Sequence, residues 1–130
     1  MQDRFKFRAW FKPEYREPIM LYDVEQTYDF MRGEPENVPE DCFGDVLADD
    51  DYIVMQCTGL KDKSGKLIYE SDIVKIDFVN ILDKILFTEI KPIKWDKRGM
   101  FLCGDYPIPY DKKFVEVIGN IYENKELLND

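Results

Sequence analysis

The sequence predicts a mainly β protein, a small antiparallel barrel or roll with an N-terminal β-hairpin. Three observations lead there. Short apolar runs recur between turn signals, spaced as in small all-β domains. No stretch keeps a helical period for more than about ten residues. Aromatic residues make up 15% of the 130, with eight Tyr and nine Phe, and such side chains suit pleated, half-buried surfaces. The length fits one domain, 1–130, with a core of moderate size. Its expected parts are a hairpin at 1–22, an acidic irregular segment at 23–51, a barrel core at 52–122 and a short helical tail at 123–130.

The elements follow in order. Arg4 to Trp10 alternates, with Phe5, Phe7 and Ala9 on one face and Arg4, Lys6, Arg8 and Trp10 on the other. Pro13 and Pro18 bracket a turn, since each removes a backbone donor. Ile19–Tyr22 then reads as the partner strand. From Asp23 to Asp51 the chain is broken by Gly33, Pro35, Pro39 and Gly44. Short structure is expected there only near Tyr28–Met31 and Cys42–Leu47.

Tyr52–Cys57 is nearly all apolar, which suggests a central strand. Asp62-Lys63-Ser64-Gly65 is a turn, with Gly65 free to take positive φ. Leu67–Tyr69 is a brief strand, and Glu70-Ser71-Asp72 a second turn in which the Asp72 carboxylate can accept local N–H bonds. Ile73–Phe78 and Ile85–Trp95 are strands joined by a loop at Asn80–Lys84, and Pro92 calls for a bulge or an edge. Asp96–Gly99 turns the chain into Met100–Cys103. Pro107 and Pro109 mark an irregular link, Phe114–Ile121 is the last strand, and Glu123–Leu128 can form one or two helical turns. The strands from Ile53 to Ile121 are enough for a closed or partly closed barrel.

Charge is unevenly placed. The net charge is −9, but residues 21–52 hold eleven acids against Arg32 alone. An acidic chain of this kind is expected to be soluble and to avoid nonspecific nucleic-acid binding, which needs positive surface. No apolar run reaches membrane-spanning length, and no signal core follows Met1. Cys42, Cys57 and Cys103 are odd in number and widely spaced, as expected of reduced, mostly buried thiols in a cytoplasmic protein.

Three blocks carry a resemblance. They are Phe7-Arg8-Ala9-Trp10, then Gln56 to Val74 with its Thr58-Gly59-Leu60-Lys61-Asp62-Lys63, Gly65-Lys66, Ile68-Tyr69-Glu70 and Asp72-Ile73-Val74, then Val117-Ile118-Gly119-Asn120-Ile121-Tyr122-Glu123-Asn124-Lys125-Glu126-Leu127-Leu128. In this order they resemble the YopX-like family of phage and prophage proteins. Ser71 stands where glycine is usual, which speaks against a positive φ in that turn, and Lys125 stands where proline is usual. The resemblance implies an SH3-like small barrel and a phage or prophage origin in a bacterial host. It implies no catalytic residue, because the family has no established activity.

The residues themselves offer little chemistry. There is no His, so His-dependent nucleophile pairs, metal ligation and acid–base work are excluded. No Cys-x-x-Cys, dinucleotide fingerprint or phosphate-binding loop is present. Cys42 and Cys103 lack a neighbouring activating base. Asp45, Asp49, Asp50 and Asp51 are oxygen ligands without the EF-hand order or its glycine, and a solvated loop accounts for them better. Glu70 with Asp72 can form an acid pair, though turn stabilisation is the simpler account. Arg8 and Trp10 can stack on a ligand, though sheet packing explains them as well.

No catalytic, cofactor-binding or metal-binding residue is therefore expected, and no cofactor. The favoured reading is a non-catalytic β interaction module that binds a protein partner or itself, a homo-oligomer being slightly favoured. The alternative is a nucleic-acid role, through the basic strip Lys91, Lys94, Lys97 and Arg98 or through residues 23–51 as an acidic decoy of a host DNA-binding protein. A carboxylate- or metal-dependent enzyme is the second alternative. No membrane partner is expected.

Overall fold

The computed structural model describes residues 5–25, 43–109 and 111–128. They are mainly β, as the sequence predicts. The chain forms two compact units, 1–57 and 58–130.

The first unit contains β1 (Phe7–Phe11), β2 (Ile19–Tyr22), the short helix α1 (Phe43–Ala48) and the first part of β3 (Tyr52–Lys61). β1 and β2 form the expected hairpin, with Arg8 opposite Tyr22 and Phe11 opposite Ile19. On its other side β1 pairs with β3, from Phe7 opposite Gln56 to Phe11 opposite Tyr52. The alternation of β1 aims Phe7, Ala9 and Phe11 at a core of Leu21, Val24, Val46 and Val54. Phe11 stacks on Tyr52 at 4.4 Å between centroids, and Phe7 meets Phe43 of α1 at 5.1 Å. The weak structure expected at Cys42–Leu47 is α1, held by buried Val46. Tyr28–Met31 lies outside the described residues.

The second unit contains the end of β3, β4 (Leu67–Tyr69), β5 (Asp72–Val79), β6 (Ile85–Trp95), β7 (Phe101–Cys103), β8 (Tyr106–Pro107) and β9 (Val115–Asn120). Five strands pair in the order β8-β7-β6-β5-β9, and register shifts interrupt β5 at Ile73/Val74 and at Phe78/Val79. Such bulges bend a sheet, and the result is a small barrel or roll. Its core is Ile68, Val74, Ile76, Ile93, Cys103 and Val115. Each buried aliphatic side chain contributes about 1.5–3 kcal/mol. Short 3₁₀ turns at Lys112–Phe114 and Lys125–Leu128 flank β9. The second is the expected C-terminal helical turn.

One expectation is revised. Ser71 does take a positive φ, +70°. Its N–H donates to the Ile93 carbonyl and its carbonyl accepts from Ile121 N–H, so bonds on both sides hold the turn in a left-handed conformation. Of the bulge or edge expected at Pro92, the pairing fits an edge position. Pairing of β6 with β5 ends at Pro92 and pairing with β7 begins at Ile93. The proline therefore sits where β6 changes partners, and its missing N–H leaves no gap in either ladder.

Candidate interaction surface

Residues of the second and third blocks of the resemblance form a hydrogen-bonded frame. Asp62 is 1% exposed. Its Oδ1 accepts the N–H groups of Ser64 and Lys66 at 2.9 Å, and its Oδ2 accepts that of Val117, 55 residues on, at 2.9 Å. Burial alone would raise its pKa, but these three donors and the Lys66 charge outweigh it and hold the carboxyl below its ordinary value. Asp72 Oδ2 accepts Tyr69 N–H at 2.7 Å, the local bond expected of it. Asn120 Oδ1 accepts from Tyr122 and Glu123 N–H, and its amide donates to Glu123. Asn124 closes back on Asn120 N–H, and a Cβ at Gly119 would lie 2.5 Å from Asn124 Oδ1. The side-chain oxygens of Asp62, Asp72, Asn120 and Asn124 thus accept from backbone N–H groups of the motifs themselves.

The other candidates are dispersed. Arg8 is 2% exposed with its guanidinium carbon 6.0 Å from the Tyr22 ring centroid, so it packs within the hairpin. Asp45 lies in α1, and Asp49 accepts Asp51 N–H. Among the described residues no group of three or more His, Cys, Asp or Glu is placed to hold a metal ion. Cys57 and Cys103 are buried. Burial, with a smaller push from Glu89, raises the Cys103 thiol to about 11. Cys42 and most of segment 23–51 lie outside the described residues.

The basic strip does not share a face. Lys91 and Lys94 are three apart on one strand, so they point to opposite sides. The stem of Lys91 lies against Gly104, and Arg98 is engaged by Asp96 at 3.0 Å. An open cleft of about 460 Å³ is lined by Gly59, Leu60, Lys61, Pro109, Asp111 and Lys112. Its charged residues are exposed, and Asp111 is already engaged by Lys113.

Three hairpin turns share one construction. In the turns that start at Asp62, Asn80 and Asp96, the side-chain oxygen of the first residue accepts the N–H groups two and four positions on. The fourth residue has positive φ in each: Gly65 at +83°, Asp83 at +59° and Gly99 at +79°. This is a three-residue hairpin loop with a bulge. The middle pair differs. It is Lys63-Ser64 and Lys97-Arg98 in two turns, but Ile81-Leu82 in the third.

Ile81 is 97% exposed and Leu82 73%. Ile85, Leu86 and Phe87 follow, all exposed, and burial along β6 rises only from Glu89 inward. Phe87 stacks on Phe78, which meets the exposed Tyr106 edge-on at 5.1 Å. The end of the β5–β6 hairpin is thus apolar at its tip and on its first turns of strand. The loop lies at Asn80–Lys84 as the sequence predicts, but these apolar residues were not among the expected functional positions. The signal was there, an Ile-Leu pair between two turn-forming polar residues.

A family model described as YopX protein matches residues 6–129. The chain belongs to the YopX family. It is also similar to the crystal structure of protein EF1440 from Enterococcus faecalis, at 28% identity over 95% of this chain and 96% of that one, with a TM-score of 0.59. No curated protein matches. In this YopX-family chain the frame accounts physically for Asp62, Asp72 and Asn120 of the motifs. The apolar arm between β5 and β6 lies outside them. No helix among the described residues is long and apolar enough to cross a membrane.

Proposed function

We propose that this YopX-family chain is a non-catalytic β interaction module, encoded by a phage or prophage and working in the cytoplasm of the bacterial host. Its work is to hold a protein surface, either of a partner or of itself. The observation that carries this reading is the apolar end of the β5–β6 hairpin, where Ile81, Leu82, Ile85, Leu86 and Phe87 are each exposed. Large apolar side chains exposed in this number on one hairpin end mark a contact site. The polar motif residues support the same reading from the other side, since their oxygens are engaged by backbone N–H groups.

The test combines light scattering on the purified chain with affinity capture from host lysate. The reading expects either a stable oligomer or a retained protein. A monomer that retains nothing would remove it. Placement of Lys91 and Lys94 on opposite faces of β6 speaks against the basic-strip route of the nucleic-acid alternative. Salt-sensitive binding of an oligonucleotide would restore it.

A further inference from the structure

We infer that the cleft between the end of β3 and the Lys112–Phe114 turn binds an acidic segment of a partner protein. Lys61 and Lys112 meet its carboxylates, and Leu60 and Pro109 meet an apolar side chain beside them. This rests on the interaction-module reading and adds a contact site apart from the β5–β6 arm.

The backbone builds the cleft. Lys63 N–H donates to the Val115 carbonyl at 3.0 Å, which sets the end of β3 beside the turn that leads into β9. Gly59 takes φ +82°, a conformation open to glycine. Leu60 N–H donates to Thr58 Oγ1 at 3.0 Å, so that donor is closed to an added strand and side chains carry the contact. Across the cleft, Asp111 caps the Lys112–Phe114 turn by accepting Lys113 N–H at 3.1 Å. The hydrogen-bonded frame uses Asp62 of the middle block, whereas Gly59, Leu60 and Lys61 of that block line the cleft.

Charge selects the occupant. Neighbouring Lys63 pairs with Glu116 at 3.4 Å, and Lys113 pairs with Asp83 at 3.2 Å and Asp111 at 3.5 Å. Asp111 is therefore matched within the chain. Among the described residues Lys61 and Lys112 form no ion pair, and both are exposed. Two cations stay unmatched at one cleft of a chain with 27 acidic and 18 basic residues. They suit carboxylates, while exposed Leu60 and half-buried Pro109 suit an apolar neighbour. The cleft volume, about 460 Å³, is that of a small-ligand pocket. A nucleic acid fits less well. None of the described lining residues is aromatic, so bases find no stacking platform, and the −9 charge repels a phosphate backbone.

Amide chemical shifts of the full chain, titrated with a blocked peptide of alternating leucine and glutamate, test this. The expected result is saturable movement of the Gly59, Leu60, Lys61 and Lys112 amides at millimolar peptide or below, weaker as salt rises. Lys61→Glu and Lys112→Glu, both at exposed positions, each weaken binding roughly tenfold. Lys97→Glu, on the exposed Asp96 turn, leaves it unchanged. Three results overturn the inference: no movement at these amides, equal movement with glutamine in place of glutamate, or binding that survives both charge reversals. Movement of the same amides by oligothymidylate and not by the peptide overturns it in favour of a nucleic acid. Failure of peptide binding strikes the cleft alone, since light scattering and host capture test the interaction module without the peptide.

Discussion

The Asp62 turn and the Asn80 turn are built alike and end differently. In each, one side-chain oxygen closes the loop through the N–H groups two and four residues on, at 2.9 to 3.0 Å. Asp62 has a second carboxylate oxygen within reach of Val117 and is buried. Asn80 lies at the exposed end of its hairpin, and the pair it presents is apolar. One turn is a joint of the fold and the other is a display. Local hydrogen bonding sets the shape of a hairpin, but long-range contacts decide whether that shape is locked in or left facing outward.

The comparison breaks most readily at Asp62. Asp62→Ala leaves three N–H groups without their acceptor and is expected to cost about 3–4 kcal/mol in urea unfolding. Asp62 also makes stability depend on pH with a defined sign. Its folded pKa lies below the ordinary 3.8, so its contribution is complete above about 3.8 and is lost as pH falls through the lowered value. Asp62→Asn is expected to flatten the acid limb of the stability curve in that range. An unchanged acid limb would show that the carboxylate charge is not what holds Val117.

Gly119→Ala tests the frame at its other end. The new Cβ displaces Asn124 and its bond to Asn120 N–H, with an expected loss of about 2 kcal/mol. Asn124→Ala in the same background is expected to add little, because the two changes remove one contact.

Asn80→Ala sharpens the contrast. The turn is exposed and its N–H groups can turn to water, so the expected cost is about 0.5–1 kcal/mol by thermal melt. A cost equal to that of Asp62→Ala would erase the distinction between joint and display. The smallest effect is at Ser71. With φ at +70°, Ser71→Gly relieves left-handed strain, offset in part by the entropy of the unfolded chain, for a net gain of about 0.5 kcal/mol.

Much of the fold was legible because local chemistry wrote it. Pro13 and Pro18 punctuated the first hairpin, and Gly65 and Gly99 marked turns that need positive φ. Ser71 misled, since a serine gives no hint that Ile93 and Ile121 hold its backbone left-handed. The basic strip is a feature of composition. Spacing along a strand already set Lys91 and Lys94 on opposite faces. The reach of Asp62 to Val117 was not legible, because nothing local to either residue records a contact 55 positions away.

The residues alone set most strands, their turns and the residue types at each tip, though not the short β8 at Tyr106–Pro107, which reads as an irregular link. Side-chain alternation, glycine's freedom at positive φ and the donor-free proline act within a few residues. Tertiary structure alone decided which carboxylate became a buried joint, that Gly119 must make room for Asn124, and that Ile81 to Phe87 stay uncovered. Those outcomes depend on which distant strands arrive beside each turn, and apolar character alone does not say whether a side chain meets its own core or faces outward.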